Sequence, residues 1–376
     1  MQAKLLKKNI GILTMHRVNN FGSVLQAFAL QKVIENLDCN CVLIDYQYPN
    51  NIHSEDKENK SQFLKIIRFI MSLLHGRPDK KRKMGIDKFR TNYFKLSEYF
   101  CDYDSLHHNP PPFDTYVLGS DQTWHVRHIA HDDSFLLSFV KKGRKISYAA
   151  SAARKSITRD YYDSFRYYLS QFDAISVRES NTQKLIECLL GIKPPILLDP
   201  TLLLDSMDWH QIAKTSKYQA KKTPYILIYI LRYSFYPYPL ATEVIRKLYK
   251  KYGCHLVIIR YSMRERLGIR DYENLYEGIA PEDFVALFEN ASFVITTSFH
   301  GTAFSINYNK PFYSIYDPES DDDRIISLLN KLGLQDRGLS IREKVPALHD
   351  LIDYSVVNNE LNKLRKESLD YLNLNL

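Results

Sequence analysis

The sequence predicts an α/β protein of two similar domains, each a parallel sheet covered by helices, with a deep cleft between them. Three observations predict it. Short apolar runs alternate with longer runs whose apolar residues recur at helical spacing. The alternation passes through both halves of the chain, as parallel pairing requires, because each parallel strand needs a crossover connection. At 376 residues the chain exceeds the roughly 150 residues of one ordinary domain.

Taken in order, Ile10–Thr14 reads as a buried strand, Phe21–Leu37 as a helix and Val42–Asp45 as the next strand. Tyr116–Leu118, Ile146–Ala149, Ala174–Val177 and Ile196–Leu198 read as further strands, with helices over Asp160–Gln171 and Ser180–Leu190. In the second half the strands are Ile226–Leu231, His255–Ile259, Phe293–Thr296 and Phe312–Ile315. Helices follow at Ala241–Lys251, Pro281–Glu289, Thr302–Tyr308 and Arg324–Leu332, the second opened by a proline and two acids that suit a first turn. The segment Asp199–Trp209 marks the boundary. Residues 1–204 are therefore expected to form one domain, with an insertion over 57–95, and residues 205–345 the other. Residues 346–376, with a charged helix over Ser355–Leu372, are expected to pack back on the first domain.

Composition narrows the class. Hydrophobic and charged contents of 45% and 25% are those of a soluble globular protein. Five scattered cysteines (Cys39, Cys41, Cys101, Cys188, Cys254) have no metal-ligand spacing, and an odd count without a leader-like segment points to reduced thiols in the cytoplasm. His125, His128 and His131 lack a ligand framework, so no metal is expected. Neither a P-loop nor a GxGxxG is present, which removes the usual signs of a nucleoside triphosphate or dinucleotide. The net charge of +8 sits in one place: eleven Lys/Arg against three acids between Lys57 and Arg90. Within it, Phe63, Ile66, Ile67, Ile70 and Leu74 form a helical apolar stripe followed by the Arg77–Lys83 cluster. An apolar helix face beside basic residues suits peripheral contact of residues 63–83 with the inner membrane face; the same pattern also describes a core helix followed by a solvated turn. Charge confined to one segment, without a recognition motif, argues against nucleic acid.

Ligands of open parallel sheets bind beyond the carboxyl ends of the strands, and polar clusters fall at those places. After the first strand come Asn19, Asn20, Gly22 and Ser23, suited either to holding a sugar hydroxyl or to capping a helix. After Leu118 come Asp121, Gln122 and Trp124: a carboxylate for a hydroxyl proton and an indole for a sugar face, or else a cap and a core residue. Arg178 follows a strand, where its fork binds phosphate or carboxylate, or pairs with Glu179. Arg324 adds positive charge to the cleft or neutralises Asp321–Asp323. His300 stands where a buried strand turns into a helix, at a helix N-terminus whose amides and dipole favour an anion. There an imidazole can bind that anion or act as general acid.

The ordered segments HRVNNFGSVLQAFALQ, VLGSDQTW, ISYAAS, AISVRE, LLDPTLLL, APEDFVALFENASFVITTSFHGTAFS and DDRIISLLNKLGLQDR resemble the polysaccharide pyruvyl transferase family over residues 9–338. The resemblance implies two Rossmann-like domains in a GT-B-like arrangement, acceptor side first and donor side second. It implies transfer of pyruvate from phosphoenolpyruvate to two hydroxyls of a sugar, giving a cyclic ketal and phosphate. The acceptor would be a cell-surface polysaccharide or lipid-linked precursor, as in exopolysaccharide or capsule synthesis. No cofactor is implied beyond phosphoenolpyruvate as donor substrate. His300 occupies the family's histidine position, and Asp121 is expected to orient or deprotonate the acceptor hydroxyl. Arg178, Ser298, Gly301, Thr302 and Arg324 are expected on the donor, and Asn19, Asn20, Gly22, Ser23, Gln122 and Trp124 on the acceptor. Part of the family has an arginine two residues before the histidine. Ser298 stands there in this chain, which shifts the donor guanidinium to Arg178 and Arg324. The same frame also suits a nucleotide-sugar glycosyltransferase, and the basic segment a non-catalytic glycan-binding scaffold.

Overall fold

The computed structural model describes residues 7–47, 78–129, 132–231, 235–259, 267–275, 278–349 and 351–376. The apolar stripe Phe63–Leu74, Arg77 and His131 lie outside the described residues. The chain divides into two compact units: Met1–Arg77, Asp87–Leu203 and Leu364–Leu376 in the first, Pro78–Ile86 and Leu204–Lys363 in the second.

The first unit holds β1 (Asn9–Leu13), β2 (Asn40–Tyr46), β3 (Leu96–Phe100), β4 (Thr115–Leu118) and β5 (Arg144–Ser147) in the order β3-β2-β1-β4-β5, every pair parallel. Its longer helices are α1 (Phe21–Asn36), the later part of α2 (Pro78–Tyr93), α3 (Arg159–Leu169) and α4 (Ser180–Leu190), with short helices at Tyr103–His108 and Val126–Ile129. The expected strands at Ala174–Val177 and Ile196–Leu198 are extended segments joined by single parallel bridges, Ile146 to Ala174 and Val177 to Ile196. Serine side chains take over part of that ladder. The Ser176 Oγ accepts from the Ala149 N–H at 3.0 Å, and the Ser147 Oγ accepts from the Ser176 N–H at 3.0 Å.

The second unit holds β6 (Tyr225–Tyr229), β7 (His255–Ile259), β8 (Tyr272–Asn274), β9 (Phe293–Thr296), β10 (Phe312–Tyr316) and β11 (Gly338–Ser340). They run in the order β11-β10-β9-β6-β7-β8, again all parallel. The centres of β6, β7 and β9 are fully apolar: Ile226, Leu227 and Ile228 are buried against Val257, Ile258, Val294 and Ile295, the continuous pattern of strands covered on both faces. The helices are α5 (Ser206–Ala213), α6 (Leu240–Tyr252), α7 (Pro281–Asn290), α8 (Phe299–Asn307), α9 (Arg324–Lys331) and α10 (Tyr354–Asn375). Helix α5 begins inside the expected polar turn. Asp205 and Asp208 bond each other's backbone N–H groups in a capping box. The last part of α10 joins the first unit, where the Arg365 Nε donates to the Leu202 carbonyl at 2.7 Å and the Tyr371 hydroxyl to the Ser147 carbonyl at 2.9 Å. Among the described residues no helix is long and apolar enough to cross a membrane.

Candidate functional site

Both sheets are Rossmann-like: strands are added outward in both directions from one central pair, and loops leaving that pair diverge to open a ligand crevice. The pair is β1 and β4 in the first unit, β6 and β9 in the second.

At the first switch point, Asn20 caps α1, its Oδ1 accepting from the Gly22 N–H at 2.8 Å. The Ser23 hydroxyl donates to Asp121 Oδ2 at 2.5 Å across 98 residues of sequence. Asp121 leaves β4 with φ at 78°, in the left-handed region that costs a non-glycine residue roughly 1–2 kcal/mol. The fold thus brings Asn20, Gly22, Ser23 and Asp121 together. Asn19 is exposed and Gln122 partly so.

Arg178 lies beneath this point, and its side chain is 1% exposed. Its Nη1 donates to Asp199 Oδ2 at 2.7 Å, its Nε lies 3.6 Å from Glu179, and its Nη2 lies 3.7 Å from Asp121 Oδ1. One guanidinium answers three buried carboxylates, so its charge is committed within the fold and not left for a donor. Of the two readings of Arg178, the ion pair is the one observed, with two more acids than the sequence indicated. Trp124 is likewise corrected. It is fully buried in the first unit's core, with Nε1 donating to the Phe135 carbonyl at 3.2 Å, and has no face to offer a sugar.

At the second switch point, Thr297 Oγ1 accepts from the Leu231 N–H at 2.7 Å and donates to its carbonyl at 2.9 Å, tying the loops after β6 and β9. Thr296 Oγ1 accepts from the Ser298 N–H at 3.0 Å, and Ser298 caps α8 by accepting from the Gly301 N–H at 3.3 Å. A Cβ on Gly301 would stand 2.3 Å from Thr296 Oγ1, which is why this position carries no side chain. The Thr302 hydroxyl donates to the Ser298 carbonyl at 3.0 Å and meets Ser314 Oγ at 2.7 Å. Ser298, Gly301 and Thr302 therefore form a hydrogen-bonded frame around His300 in the first turn of α8. His300 sits in the first turn of α8, 7% exposed, its ring edge-on to Phe299. Arg324 takes the neutralising alternative, with Nε and Nη2 gripping Asp322 at 2.6 and 2.5 Å.

One cluster escaped the sequence reading. Asp45, at the end of β2, accepts from Arg17 Nε and Nη2 at 2.6 Å each and lies 3.1 Å from His16 Nε2. Burial pushes this carboxyl up, but His16 and Arg17 outweigh burial and hold it at about 2, against the usual 3.8. Arg90 on α2 donates to the His16 and Arg17 carbonyls at 2.9 and 3.0 Å, pinning the loop that leads to Ser23. The usable signal was an acid ending the strand beside a His-Arg pair that ends its neighbour. Among the described residues no three His, Cys, Asp or Glu side chains are grouped to hold a metal ion.

Two solved structures place the fold. Arabidopsis thaliana UGT89C1 complexed with UDP-L-rhamnose superposes with a TM-score of 0.51 at 11% identity, covering 98% of each chain. S. aureus MnaA complexed with UDP gives 0.52 at 12% identity, covering 97% of this chain and 90% of that one. At such identity the likeness shows the fold alone, which is GT-B-like. No curated protein matches the chain. The family model for polysaccharide pyruvyl transferases matches residues 20–317, a stretch that contains Ser23, Asp121 and His300, and the chain belongs to that family.

Proposed function

We propose that the protein transfers the pyruvyl group of phosphoenolpyruvate to two hydroxyls of one sugar in a cell-surface polysaccharide precursor, releasing phosphate and leaving a cyclic ketal. The observation that carries the reading is the placement of His300: inside the family-matched stretch, at the carboxyl end of β9 and in the first turn of α8. In this reading His300 delivers a proton to the enol methylene. The C2 cation that results is attacked by one sugar hydroxyl, the C2–O bond to phosphate breaks, and the second hydroxyl closes the ring. Of the two hydroxyl protons, one leaves on phosphate and the other, passed through Asp121 and solvent, restores the proton His300 gave up, so the donor gains one hydrogen at C3 and loses its phosphate.

Asp121 is assigned to orienting and deprotonating an acceptor hydroxyl, the task suited to a carboxylate at a switch point. Arg178 stands 3.7 Å from its second oxygen, and the Ser23 hydroxyl, donating to the other, holds its rotamer. Arg178 is therefore a positioning residue in this account. The test is phosphate release from phosphoenolpyruvate with galactose- and mannosamine-containing acceptors. His300→Ala should lower the rate about 10²–10⁴-fold, the usual share of a general acid. Turnover near wild type in that variant removes His300 from the chemistry.

A further inference from the structure

The loop after β5 has no part in the roles assigned so far, yet it is tightly constrained. It is laced to the loop after β4: the Ser151 N–H donates to the Asp121 carbonyl at 3.0 Å, and the Trp124 N–H to the Ser151 carbonyl at 3.0 Å. Ala149 and Ala153 have φ of 47° and 50°, left-handed values that cost an alanine roughly 1–2 kcal/mol each. Ala153 is held there by the buried Glu179, whose Oε1 accepts its N–H at 3.2 Å and the Ser151 hydroxyl at 2.8 Å. The Thr182 hydroxyl also donates to that oxygen and accepts from the Ala152 N–H at 2.9 Å. Such strain persists only where the surroundings hold it, and here the buried Glu179 does so immediately before the next side chain.

That side chain is Arg154. It is partly buried, and its Nε donates to His125 Nε2 at 3.3 Å, the single polar partner of this guanidinium among the described residues. By accepting through Nε2, His125 orients the Arg154 guanidinium. Arg17, Arg178 and Arg324 are each bound to carboxylates; Arg154 keeps its outer N–H groups for something else. Arg127, exposed two residues beyond His125, adds positive charge to the same loop.

We propose that Arg154, aimed by the strained turn at Ala153 and by His125, is an anion subsite of the first unit that takes a phosphate-bearing group in the planar fork of its guanidinium. The subsite rests on the pyruvyl-transfer reading only for its source of phosphate: the donor's own group, or the phosphate through which a sugar acceptor is tethered to its carrier.

Binding of inorganic phosphate and pyrophosphate to the full chain, followed by calorimetry, tests it without any turnover. Pyrophosphate should bind the wild type, and Arg154→Gln should weaken it about tenfold or more at unchanged melting temperature, as expected for a lost charge-assisted bidentate contact. Arg154→Lys should recover part of the affinity. His125→Ala, which leaves the cation in place but unguided, should lose only a few-fold. A rise in KM confined to phosphoenolpyruvate identifies the donor as the source, and one confined to a phosphate-linked acceptor identifies the carrier. Equal pyrophosphate affinity in wild type and Arg154→Gln, or no binding by the wild type, overturns the proposal. Because the calorimetric arm needs no reaction, its failure is separate from failure of the pyruvyl-transfer reading.

Discussion

Arg178→Met removes the one cation from a buried set of three carboxylates and puts a side chain of similar length in its place. Asp199 loses its 2.7 Å partner, and Glu179 and Asp121 lose a positive charge 3.6 and 3.7 Å away. The side chains of Asp199 and Glu179 are completely shielded from water, so solvent cannot take over from the guanidinium. Breaking a buried ion pair from one side costs about 3–5 kcal/mol, since the charge left behind remains desolvated. In a domain of this size each kcal/mol moves the midpoint by about 2–4 °C, so the transition of the first unit should fall by about 6–20 °C. Arg178→Lys keeps the charge but cannot reach Asp199 while facing two further acids, and should recover only part of the loss. Circular dichroism melts of the full chain, paired with the KM for phosphoenolpyruvate, make the assay. A variant that melts with the wild type while its donor KM rises sharply would show that Arg178 holds the donor and refute the structural assignment.

Two further outcomes follow from the same geometry. Gly301→Ala places a Cβ 2.3 Å from Thr296 Oγ1, a hydroxyl bonded on both sides within a packed turn; the displaced α8 should cost about 1–3 kcal/mol in urea unfolding and shift His300 enough to depress phosphate release. Asp45→Asn should destabilise the first unit near pH 7, because Arg17 and His16 lose their shared carboxylate. That carboxyl is depressed to about 2 in the fold, so its stabilisation is complete above the unfolded value near 3.9 and disappears as pH falls through the folded one. Unfolding in denaturant at a series of pH values should show the gap between wild type and variant closing on acidification; a widening gap would contradict the assignment.

Much of the fold could be read from the residues because the central strands are covered on both faces and so become continuous apolar runs. His255–Ile259 and Phe293–Thr296 have the expected limits, Phe312–Tyr316 differs from the reading at one end, and Tyr225–Tyr229 starts one residue and ends two residues earlier than read. The edge strands β3, β8 and β11 gave no such run. Leu96–Phe100 exposes most of its residues, and Tyr272–Asn274 and Gly338–Ser340 are three residues long. The helix bearing His300 starts three residues earlier than its apolar spacing indicated, because the Ser298 cap, not periodicity, sets the first turn.

The site was legible where function coincides with local chain geometry. The places of Asp121 and His300, each just past a buried strand, could be read from the residues, and their roles are those proposed above. The site was illegible where partners are distant: Ser23 with Asp121, Arg178 with Asp199 and His125 with Arg154 meet only once the sheet order is known. Trp124 shows the opposite failure. Its polar neighbours suggested a binding surface, while Phe135 and the hydrophobic core claim both its ring and its N–H.

The central claim, pyruvyl transfer driven from the His300 turn, is tested most directly by the mass of the acceptor after incubation of the purified chain with phosphoenolpyruvate and a vicinal or 4,6-diol sugar. The account predicts one phosphate released per acceptor, and an acceptor heavier by pyruvate less one water, with both signals appearing about 10²–10⁴-fold more slowly in His300→Ala. An acceptor that instead gains a hexose from a nucleotide sugar while phosphoenolpyruvate stays intact would contradict it.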